Sequence, residues 1–518
     1  MTIIFLYSFK LSYFMTNQEK LKEVISYMQD KGFVYGPSPE IYGGVAGFYD
    51  YGPLGKLLKN NIENTIRVFF QKNQFFEVEC PTVMPDEVWK ASGHLEGFTD
   101  PVIKDKNGNV FRVDKLIEEY FHSNNLDLST IKINGAKDDE LLDIIKKYKI
   151  KSPIDGSDFE MKIIKYNLMM KTTIGLDKAA SNRPETATTT YLPFLRYLNF
   201  FREKLPFGVF QIGKAYRNEI SPRQFILRMR EFTQAEGQLF IFKDQKDNFE
   251  KYERIAKEEL PLLAYNSEEV EKVTIQKAIE KKYIKNKAYA WALNLAYTLF
   301  KNLGIPSNKM RLRQHNPNER AFYADDAWDL EILTNTFGWV ECCGIHDRTD
   351  YDLKTHGKAS KTELVAKDET HEKQVPHIIE IAFGTDRPVF ALIDIFYELK
   401  EKEEGKTILK IPYHLAPIKV GVFPLVNKLD EEAQKVFEEV QNEFVTIYEK
   451  GGSIGKRYLK ADSIGIPYSI TFDFDSLERK DVTIRDRDST LQKRVKIKDL
   501  NEIISKLLKN KISFEELK

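Results

Sequence analysis

The chain has 518 residues, 42% of them hydrophobic and 30% charged, which is the composition of a globular protein with room for several domains. Basic and acidic residues number 78 each, so net charge excludes a globally basic or acidic chain, and any nucleic-acid surface must be a local patch. Cys80, Cys342 and Cys343 form neither a disulfide framework nor a CxxC pair, so we expect reduced thiols in a cytoplasmic protein and no zinc.

The first residues, "MTIIFLYSFKLSYF", are apolar but shorter than the ~20 residues that span a bilayer, and they lack a signal-peptide cleavage site. From Met15 an amphipathic helical pattern continues as far as Gly32. We therefore expect residues 1–15 to be a non-native or disordered leader, with translation starting at Met15 and no membrane association.

Between the leader and Pro412, two stretches differ from their surroundings and are predicted to be insertions, at about 96–180 and 248–310. Residues 400–411 resemble a charged helix end and a linker. Beyond Pro412, strands alternate with helices, including one expected from Asp430 to about Lys450. This pattern predicts a separate small α/β domain over 412–518 with a mostly parallel sheet.

Two neighbouring predicted strands carry an unusual number of charged side chains near residues 209–236. Strand side chains alternate between faces, which places Arg217 and Glu219 on the same face as small residues in "VFQIGKAYRNE". After the turn "ISPRQ", the next strand presents Arg228, Arg230, Phe232, Gln234 and Glu236 on one face. Arginines suit phosphate oxygens and Phe232 suits a purine ring, but an exposed sheet face with ion pairs explains the same spacing.

A third polar segment, "HIIEIAFGTDRPVFALIDIF" (377–396), is predicted to be a strand that runs into a buried helix. Arg387 falls in the first helical turn, where free backbone N–H groups favour an anion, although an exposed arginine at a helix start is the alternative. Glu341 lies at the centre of the predicted strand "WVECCGI", where its spacing alone is that of a surface carboxylate.

These segments together resemble class II aminoacyl-tRNA synthetases, in the version found in glycyl-tRNA synthetases of the archaeal and eukaryotic type. "YRNEISPRQFILRMREFTQAE" is similar to the second signature motif, and residues 377–396 resemble the third. "GGVAGFYDYGPLGKLLKNNI" with "FFEVECPTVMP" resembles the first motif, which forms the dimer interface. "ASGHLEGFTDPVIKD", "FRVDKLIEEY", "LRQHNPNERAFYADDAWDLE" and "GWVECCGIHDRTDYDL" are similar to further family segments.

The resemblance implies an α+β catalytic domain with the antiparallel sheet of class II synthetases over residues 16–411, including the insertions, and a C-terminal α/β anticodon-binding domain over 412–518. It also implies a homodimer whose substrates are ATP with Mg²⁺, glycine and tRNA(Gly). Glycine would attack the α-phosphate of ATP to form glycyl-adenylate, and the terminal adenosine of tRNA would then take the glycyl group. Catalysis would consist of positioning and charge neutralisation, without a covalent protein nucleophile.

By resemblance, Arg217 would hold the α-phosphate, Arg387 the γ-phosphate, and Glu219 the adenine side, with Phe232 stacked on the ring. Glu341 would contact Mg²⁺ through ATP. The full ATP site implied by the resemblance comprises Arg217, Asn218, Glu219, Leu227, Arg228, Met229, Arg230, Glu231, Phe232, Glu341, Cys342, Gly384, Thr385, Asp386 and Arg387.

Glycine has no side chain to grip, so a small pocket must bind its ammonium and carboxylate and exclude larger amino acids by size. The resemblance implies Glu185, Glu236 and Glu380 as the ammonium partners. The full implied set is Arg112, Glu185, Phe232, Thr233, Gln234, Ala235, Glu236, Glu380, Ile381, Ala382, Phe383 and Gly384. Two departures from the family pattern affect this site: "RPET" continues with "ATTT", and Ile381 and Ala382 replace the usual Pro-Ser.

For tRNA, "GGSIGKRYLKADSIGIPYSITFD" and "VTIRDRDSTLQKRV" resemble the anticodon-binding domain of several class II synthetases. The residues expected to meet RNA, with solvated charge as the alternative, are Arg223 near the acceptor end and Lys456, Arg457, Arg485, Arg487 and Gln492 at the anticodon. Two other functions stay open: a class II synthetase of another amino-acid specificity, and a synthetase-like RNA-binding protein without catalysis.

Overall fold

The computed structural model describes residues 17–124, 126–128, 131, 133, 136–220, 222, 224–317, 319–321, 323–400 and 406–517. The proposed leader, residues 1–15, and Arg223 lie outside these ranges. Within them, no helix is long and apolar enough to cross a membrane.

The helices are α1 (Asn17–Asp30), α2 (Pro53–Lys72), α3 (Asp86–Ala91), α4 (His94–Gly97), α5 (Val113–Ser123), α6 (Asp138–Lys147), α7 (Ala187–Tyr191), α8 (Phe194–Phe200), α9 (Ile275–Glu280), α10 (Lys287–Asn302), α11 (Tyr351–Ser360), α12 (Asp386–Phe396), α13 (Asp430–Gln441), α14 (Ile454–Ser463), α15 (Phe474–Arg479) and α16 (Leu500–Leu508). The strands are β1 (Val34–Tyr35), β2 (Asp50–Tyr51), β3 (Phe75–Glu77), β4 (Val83–Pro85), β5 (Thr99–Asp105), β6 (Val110–Arg112), β7 (Phe159–Asn167), β8 (Met170–Ile174), β9 (Lys178–Asn182), β10 (Phe207–Tyr216), β11 (Glu231–Ile241), β12 (Glu259–Leu263), β13 (Glu271–Thr274), β14 (Met310–Gln314), β15 (Asp326–Thr334), β16 (Gly338–Thr349), β17 (His377–Gly384), β18 (Tyr397–Lys400), β19 (Lys406–Leu409), β20 (Val420–Pro424), β21 (Thr446–Tyr448), β22 (Tyr468–Phe472), β23 (Asp481–Asp486) and β24 (Gln492–Lys496).

A nine-stranded sheet forms the centre of the described chain, in the order β13-β12-β14-β15-β16-β17-β11-β10-β3. Its six middle strands, β14, β15, β16, β17, β11 and β10, pair with one another in antiparallel fashion, whereas β12 and β3 add to either side of them in parallel. Helices α2, α10 and α12 pack on the sheet and bury their apolar faces in one large core. The three predicted polar segments therefore meet on adjacent strands, β10, β11 and β17.

Close contact between α2 and the chain before it depends on a glycine. A side chain at Gly55 would have its Cβ 1.8 Å from the carbonyl oxygen of Phe33, so only glycine lets the helix approach this backbone. The rest of the buried face of α2 is apolar, with Ile62, Ile66 and Phe70 fully buried against the sheet. As a result, α2 is held firmly beside the start of α12.

The two segments predicted as insertions differ in how they pack. Much of residues 96–180 forms a compact unit of β5, β6, β7, α5 and α6, with its own core that includes Ile103, Phe111 and Ile117. Residues 248–310 instead add β12 and β13 to the central sheet, and α10 enters the main core. The second segment is thus built into the main core and the central sheet.

Two details of the C-terminal prediction are corrected. Residues 397–400 and 406–409 form the hairpin β18–β19, where a charged helix end and linker were expected. Helix α13 ends at Gln441 and not near Lys450, because the β-branched and aromatic run that follows pairs β21 with β20.

The C-terminal sheet has the order β21-β20-β22-β23-β24 and its own core, including Val422, Ile470 and Ile504. Only β21, β20 and β22 are parallel, so the prediction of a mostly parallel sheet is wrong for its other half. The connections from β22 to β23 and from β23 to β24 are shorter than the dozen or so residues that a parallel crossover needs.

Candidate active site

The polar faces of β10, β11, β16 and β17 enclose a cavity of about 280 Å³ at one end of the central sheet. Its lining includes Glu185, Arg217, Glu219, Ile226, Leu227, Arg228, Met229, Phe232, Gln234, Glu236, Tyr323, Glu341, Cys342, Gly344, His346, Arg348, Glu380, Ala382, Phe383, Gly384, Asp386 and Arg387. Arginines dominate one part of this cavity and carboxylates another.

Arg217 leaves the end of β10 and reaches the cavity between two aromatic rings. Its guanidinium carbon lies 5.4 Å from the ring centre of Phe98 and 5.5 Å from that of Phe232. The side chain donates to the carbonyl of Pro184 at 3.2 Å and is only half-buried. The rings hold the guanidinium in place while leaving its other donors available to an anion.

Arg387 marks a second position for an anion, in the first turn of α12. It donates to the backbone carbonyls of Leu227, at 3.4 Å, and Glu341, and its Nη1 lies 3.5 Å from the Glu341 carboxylate. Glu341 is exposed at the edge of the cavity. The two arginines that were predicted to hold phosphates therefore line one cavity.

A chain of alternating charges runs from Glu219 into the first inserted unit. Arg228 donates to Glu219 at 2.6 Å and lies 3.9 Å from Asp100, which pairs with Arg112 at 3.0 Å. Arg112 also donates to Asp114 and lines a smaller cavity that shares Glu219 and Arg228 with the main one. Arg112 therefore lines the neighbouring cavity and not the main one, and its contact with glycine stays a prediction.

Three carboxylates, Glu185, Glu236 and Glu380, lie close together on the cavity lining, and Glu236 and Glu380 are buried. Burial and repulsion from Glu380 and Glu185 raise the pKa of Glu236 well above its ordinary value, and its Oε2 has no hydrogen-bond partner among the described residues. Burial alone would raise the pKa of Glu185, but His94, 3.6 Å away, lowers it to about 2. The cluster carries excess negative charge and is suited to an ammonium group.

Glu380 is held by four side chains. Arg348 donates at 3.2 Å to both carboxylate oxygens, Tyr191 at 2.9 Å and Gln238 at 3.1 Å, and His346 Nδ1 lies 3.2 Å from Oε1. These partners outweigh the effect of burial and keep the pKa of Glu380 well below its ordinary value. The carboxylate is therefore ionised and fixed in orientation.

Arg348, His346 and Tyr323 were missed by the sequence-based prediction although they line the cavity. Arg348 is buried and bridges Glu380 to Asp352, which accepts at 2.8 Å and 3.0 Å. Gly344, His346 and Arg348 alternate along β16 in the quoted "GWVECCGIHDRTDYDL", so period-two spacing could have identified them. Phe98 and His94 had no comparable signal.

Several predicted site residues lie outside the cavity lining. Ala235 and Ile381 point into the core, since neighbouring residues on a strand face opposite sides. Arg230 donates to the carbonyls of Ala46, Glu219 and Ile220. The other predicted residues with partners outside the cavity are Asn218 with Tyr166, Glu231 with Lys214, Thr233 with Lys59, and Thr385 with Glu63.

Gly213, on β10, lies directly against a buried arginine. A Cβ there would lie 2.2 Å from Nη2 of Arg183, which is buried and donates to the carbonyls of Lys214 and Cys80 and to Gln211. This glycine admits a structural arginine that fixes the "RPET" segment, and with it Glu185, against β10.

Three of the arginines predicted to contact RNA are buried. Arg485 forms a two-pronged pair with Asp462 at 2.9 and 3.0 Å, Arg457 donates to the carbonyl of Pro424, and Arg487 donates to those of Gly465 and Ile411. Their guanidinium groups hold the domain together, which corrects the prediction, while Lys456 and Gln492 are exposed. Burial is a tertiary property that spacing along a strand could not reveal.

The three cysteines are free and buried, and no group of three or more His, Cys, Asp or Glu side chains in the described part of the chain is arranged to hold a metal ion.

Family models match both halves of this architecture. Residues 181–396 match the tRNA synthetase class II core domain (G, H, P, S and T), and residues 419–507 match an anticodon binding domain. The crystal structure of prolyl-tRNA synthetase from Cryptosporidium parvum complexed with L-proline and AMP superposes with a TM-score of 0.56 at 14% identity, covering 94% of this chain and 77% of that one. The antiparallel sheet, the arginine-lined cavity and these matches define the core of a class II aminoacyl-tRNA synthetase.

Three curated relatives identify the family within this class. Glycine–tRNA ligase of Methanococcus maripaludis (strain C6) is 38% identical over 94% of this chain and 99% of its own length. Those of Methanocaldococcus jannaschii and Pyrococcus horikoshii are each 37% identical, over 94% and 95% of this chain and 99% of their own lengths. The chain belongs to the glycine–tRNA ligase family, which confirms the resemblance carried by its motifs.

Proposed function

We propose that the protein is a glycine–tRNA ligase, which activates glycine with ATP to form glycyl-adenylate and transfers the glycyl group to the 3′ end of tRNA(Gly). The observation that carries this proposal is the charge distribution of one cavity, which joins two partly exposed arginines, Arg217 and Arg387, to a cluster of three carboxylates, Glu185, Glu236 and Glu380. The names of the relatives support it over a synthetase of other specificity and over a non-catalytic RNA-binding protein.

In the first step, the glycine carboxylate attacks the α-phosphate of ATP and pyrophosphate leaves. Arg217 is proposed to hold the α-phosphate and Arg387 the γ-phosphate, each supplying charge that stays fixed during the reaction. Class II synthetases use ATP with Mg²⁺, and the exposed carboxylate of Glu341 beside Arg387 fits a metal ion that is held mainly by phosphate oxygens. When bound, Mg²⁺ would neutralise charge on the triphosphate and leaving pyrophosphate.

The base end of ATP is assigned to Glu219 and Phe232. Arg228 orients the Glu219 carboxylate from one side, and Arg230 donates to the Glu219 backbone carbonyl at 2.8 Å. Phe232 offers a half-buried ring next to Arg217 for stacking on the adenine. The backbone of the motif is thus braced where the nucleotide would bind.

The carboxylate cluster is assigned to the glycine ammonium. Glu236 has the free acceptor, because Glu380 is occupied by four partners and Glu185 faces His94. Ala382 lines the cavity at the position where the family usually has serine. Because alanine has no hydroxyl, the acceptors available to the glycine ammonium are these carboxylates and backbone carbonyls. Tyr191, Arg348 and Gln238 are buried around Glu380 and donate to it, and we propose that this crowding excludes larger amino acids by size.

For the second step we assign the exposed Lys456 and Gln492 to anticodon contacts, and Arg223, outside the described residues, to the acceptor end. The first motif, with α2, is proposed to form a homodimer interface. The requirement for tRNA and the free thiols favour the cytoplasm as the compartment.

The affinity for glycine should depend on pH through Glu236. Above its raised pKa the carboxylate is charged and binds the ammonium, and below that pKa it is neutral. We expect kcat/KM for glycine to be flat at high pH and to fall by about tenfold per unit as pH drops through this pKa. Pyrophosphate exchange measured from pH 5 to 9 tests this, and Glu236→Gln should abolish the acid limb; a limb that persists in the variant would assign it to another group.

The decisive experiment is ATP–pyrophosphate exchange with each amino acid in turn, followed by aminoacylation of tRNA(Gly). Exchange that depends on glycine is the expected result. Exchange with another amino acid alone would favour the other-specificity alternative, and exchange with none would favour the non-catalytic one.

A further inference from the structure

A buried lysine on α2 reaches across to the start of α12. Lys59 is 3% exposed, and its ammonium donates to Asp386 and, at 3.0 Å, to the hydroxyl of Thr233. It also lies 4.4 Å from the ring centre of Tyr51, whose hydroxyl donates to Asp386 at 2.6 Å. A charged lysine is rarely buried to this extent without a specific partner.

Asp386 stands where ATP is proposed to bind. It is 2% exposed, lines the main cavity and directly precedes Arg387, and its other oxygen accepts from the backbone N–H of Thr233 at 2.8 Å. An uncompensated carboxylate at this place would repel a triphosphate, because water does not screen charges in a buried site. The ammonium of Lys59 supplies the compensating charge.

A second contact, one turn further along α2, also joins this helix to the start of α12. Glu63 accepts from the hydroxyl of Thr385 at 3.1 Å, so α2 holds two successive residues immediately before Arg387. Residues 59 and 63 lie on one face of the helix, since side chains four positions apart are neighbours.

We propose that Lys59 is a positioning residue for ATP, which acts by neutralising Asp386 beside the triphosphate; this rests on the proposed function. The residue lies on the helix of the first motif, outside the ATP set expected from the sequence. Its effect passes through Asp386 and requires no contact with the substrate.

The test compares Lys59→Met, Asp386→Asn and the double variant, with Lys56→Met as control. Methionine keeps the length of the lysine chain and removes its charge, and Lys56 is an exposed lysine on the same helix. KM for ATP and for glycine are measured by pyrophosphate exchange, and the thermal midpoint of each full-length variant is recorded.

Lys59→Met is expected to raise KM for ATP about tenfold or more, because a lone charge then remains at the site, while KM for glycine stays within about twofold. The double variant should recover most of the ATP affinity, and Asp386→Asn alone should not raise KM for ATP. Lys56→Met should match the parent chain.

Equal increases in both KM values, no recovery in the double variant, or an unchanged ATP KM in Lys59→Met would each overturn the proposal. If Lys59→Met does not fold, Asp386→Asn and the double variant still decide, since a purely structural pair predicts weaker ATP binding in both. The dissociation constant of ATP is also measured by calorimetry without amino acid, which tests the role of Lys59 without the exchange reaction. Failure of the proposed function would appear separately, as absence of glycine-dependent exchange in the parent chain.

Discussion

Replacing Arg217 by alanine is expected to reduce glycine-dependent pyrophosphate exchange by about 10²–10³-fold, the usual cost of removing one preorganised donor from a charge-stabilising site. Phe98 and Phe232 hold this guanidinium in place, and within the described ranges its one hydrogen bond is to the carbonyl of Pro184. The loss should fall mainly on kcat, because the α-phosphate gains charge in the transition state.

A matched control is Lys214→Ala, on β10 near Arg217. Lys214 is exposed and forms a surface pair with Glu231 at 3.0 Å, so exchange and stability should change little. Exchange by Arg217→Ala at the rate of the parent chain would contradict the α-phosphate assignment. A fall of similar size in Lys214→Ala would show that the assay reports general damage to the strand.

The second large effect is expected in the C-terminal domain. Arg485→Met should destabilise that domain by about 3–5 kcal/mol, because it leaves the buried carboxylate of Asp462 without its partner. The two side chains are 9% and 4% exposed, so solvent screens this pair little. Urea unfolding, together with hydrogen exchange of β22 and β23, measures the loss.

Two comparisons separate this structural role from an RNA contact. Arg485→Met/Asp462→Leu should regain much of the stability, since an apolar pair can replace a buried ion pair. Lys456→Ala should leave stability within about 0.5 kcal/mol and raise KM for tRNA without changing exchange. A stable Arg485→Met protein that had lost only aminoacylation would restore the RNA assignment.

The alternation of side chains along strands predicted part of the cavity lining from the sequence. Arg217, Glu219, Phe232, Gln234 and Glu236 were predicted from alternation along two strands, and all line the cavity. Alternation failed for Arg230, because the chain between the two strands turns through a short 3-10 helix before β11 begins, which sends its side chain toward carbonyls at Ala46, Glu219 and Ile220.

Local sequence patterns could not predict pairs whose two residues are far apart in the chain. The pairing of Lys59 with Asp386 spans 327 residues and that of Arg348 with Glu380 joins two strands. Nothing in the local pattern around Lys59 distinguishes it from Lys56, since both lie in the same amphipathic helix. Only the packing of α2 against the sheet makes one of them buried and paired.

The sequence by itself determined the class II core, the family and the residue types of the site, because motif spacing on strands sets which side chains share a face. The tertiary structure decided which charges are free to meet a substrate. Among the described residues, Arg217 and Glu236 keep unpaired hydrogen-bonding groups in the cavity, whereas the charges of Arg485 and Arg487 are paired inside the C-terminal domain. The physical reason is that a buried charge must find a partner within the fold, and that partner is chosen by packing and not by neighbours in the sequence.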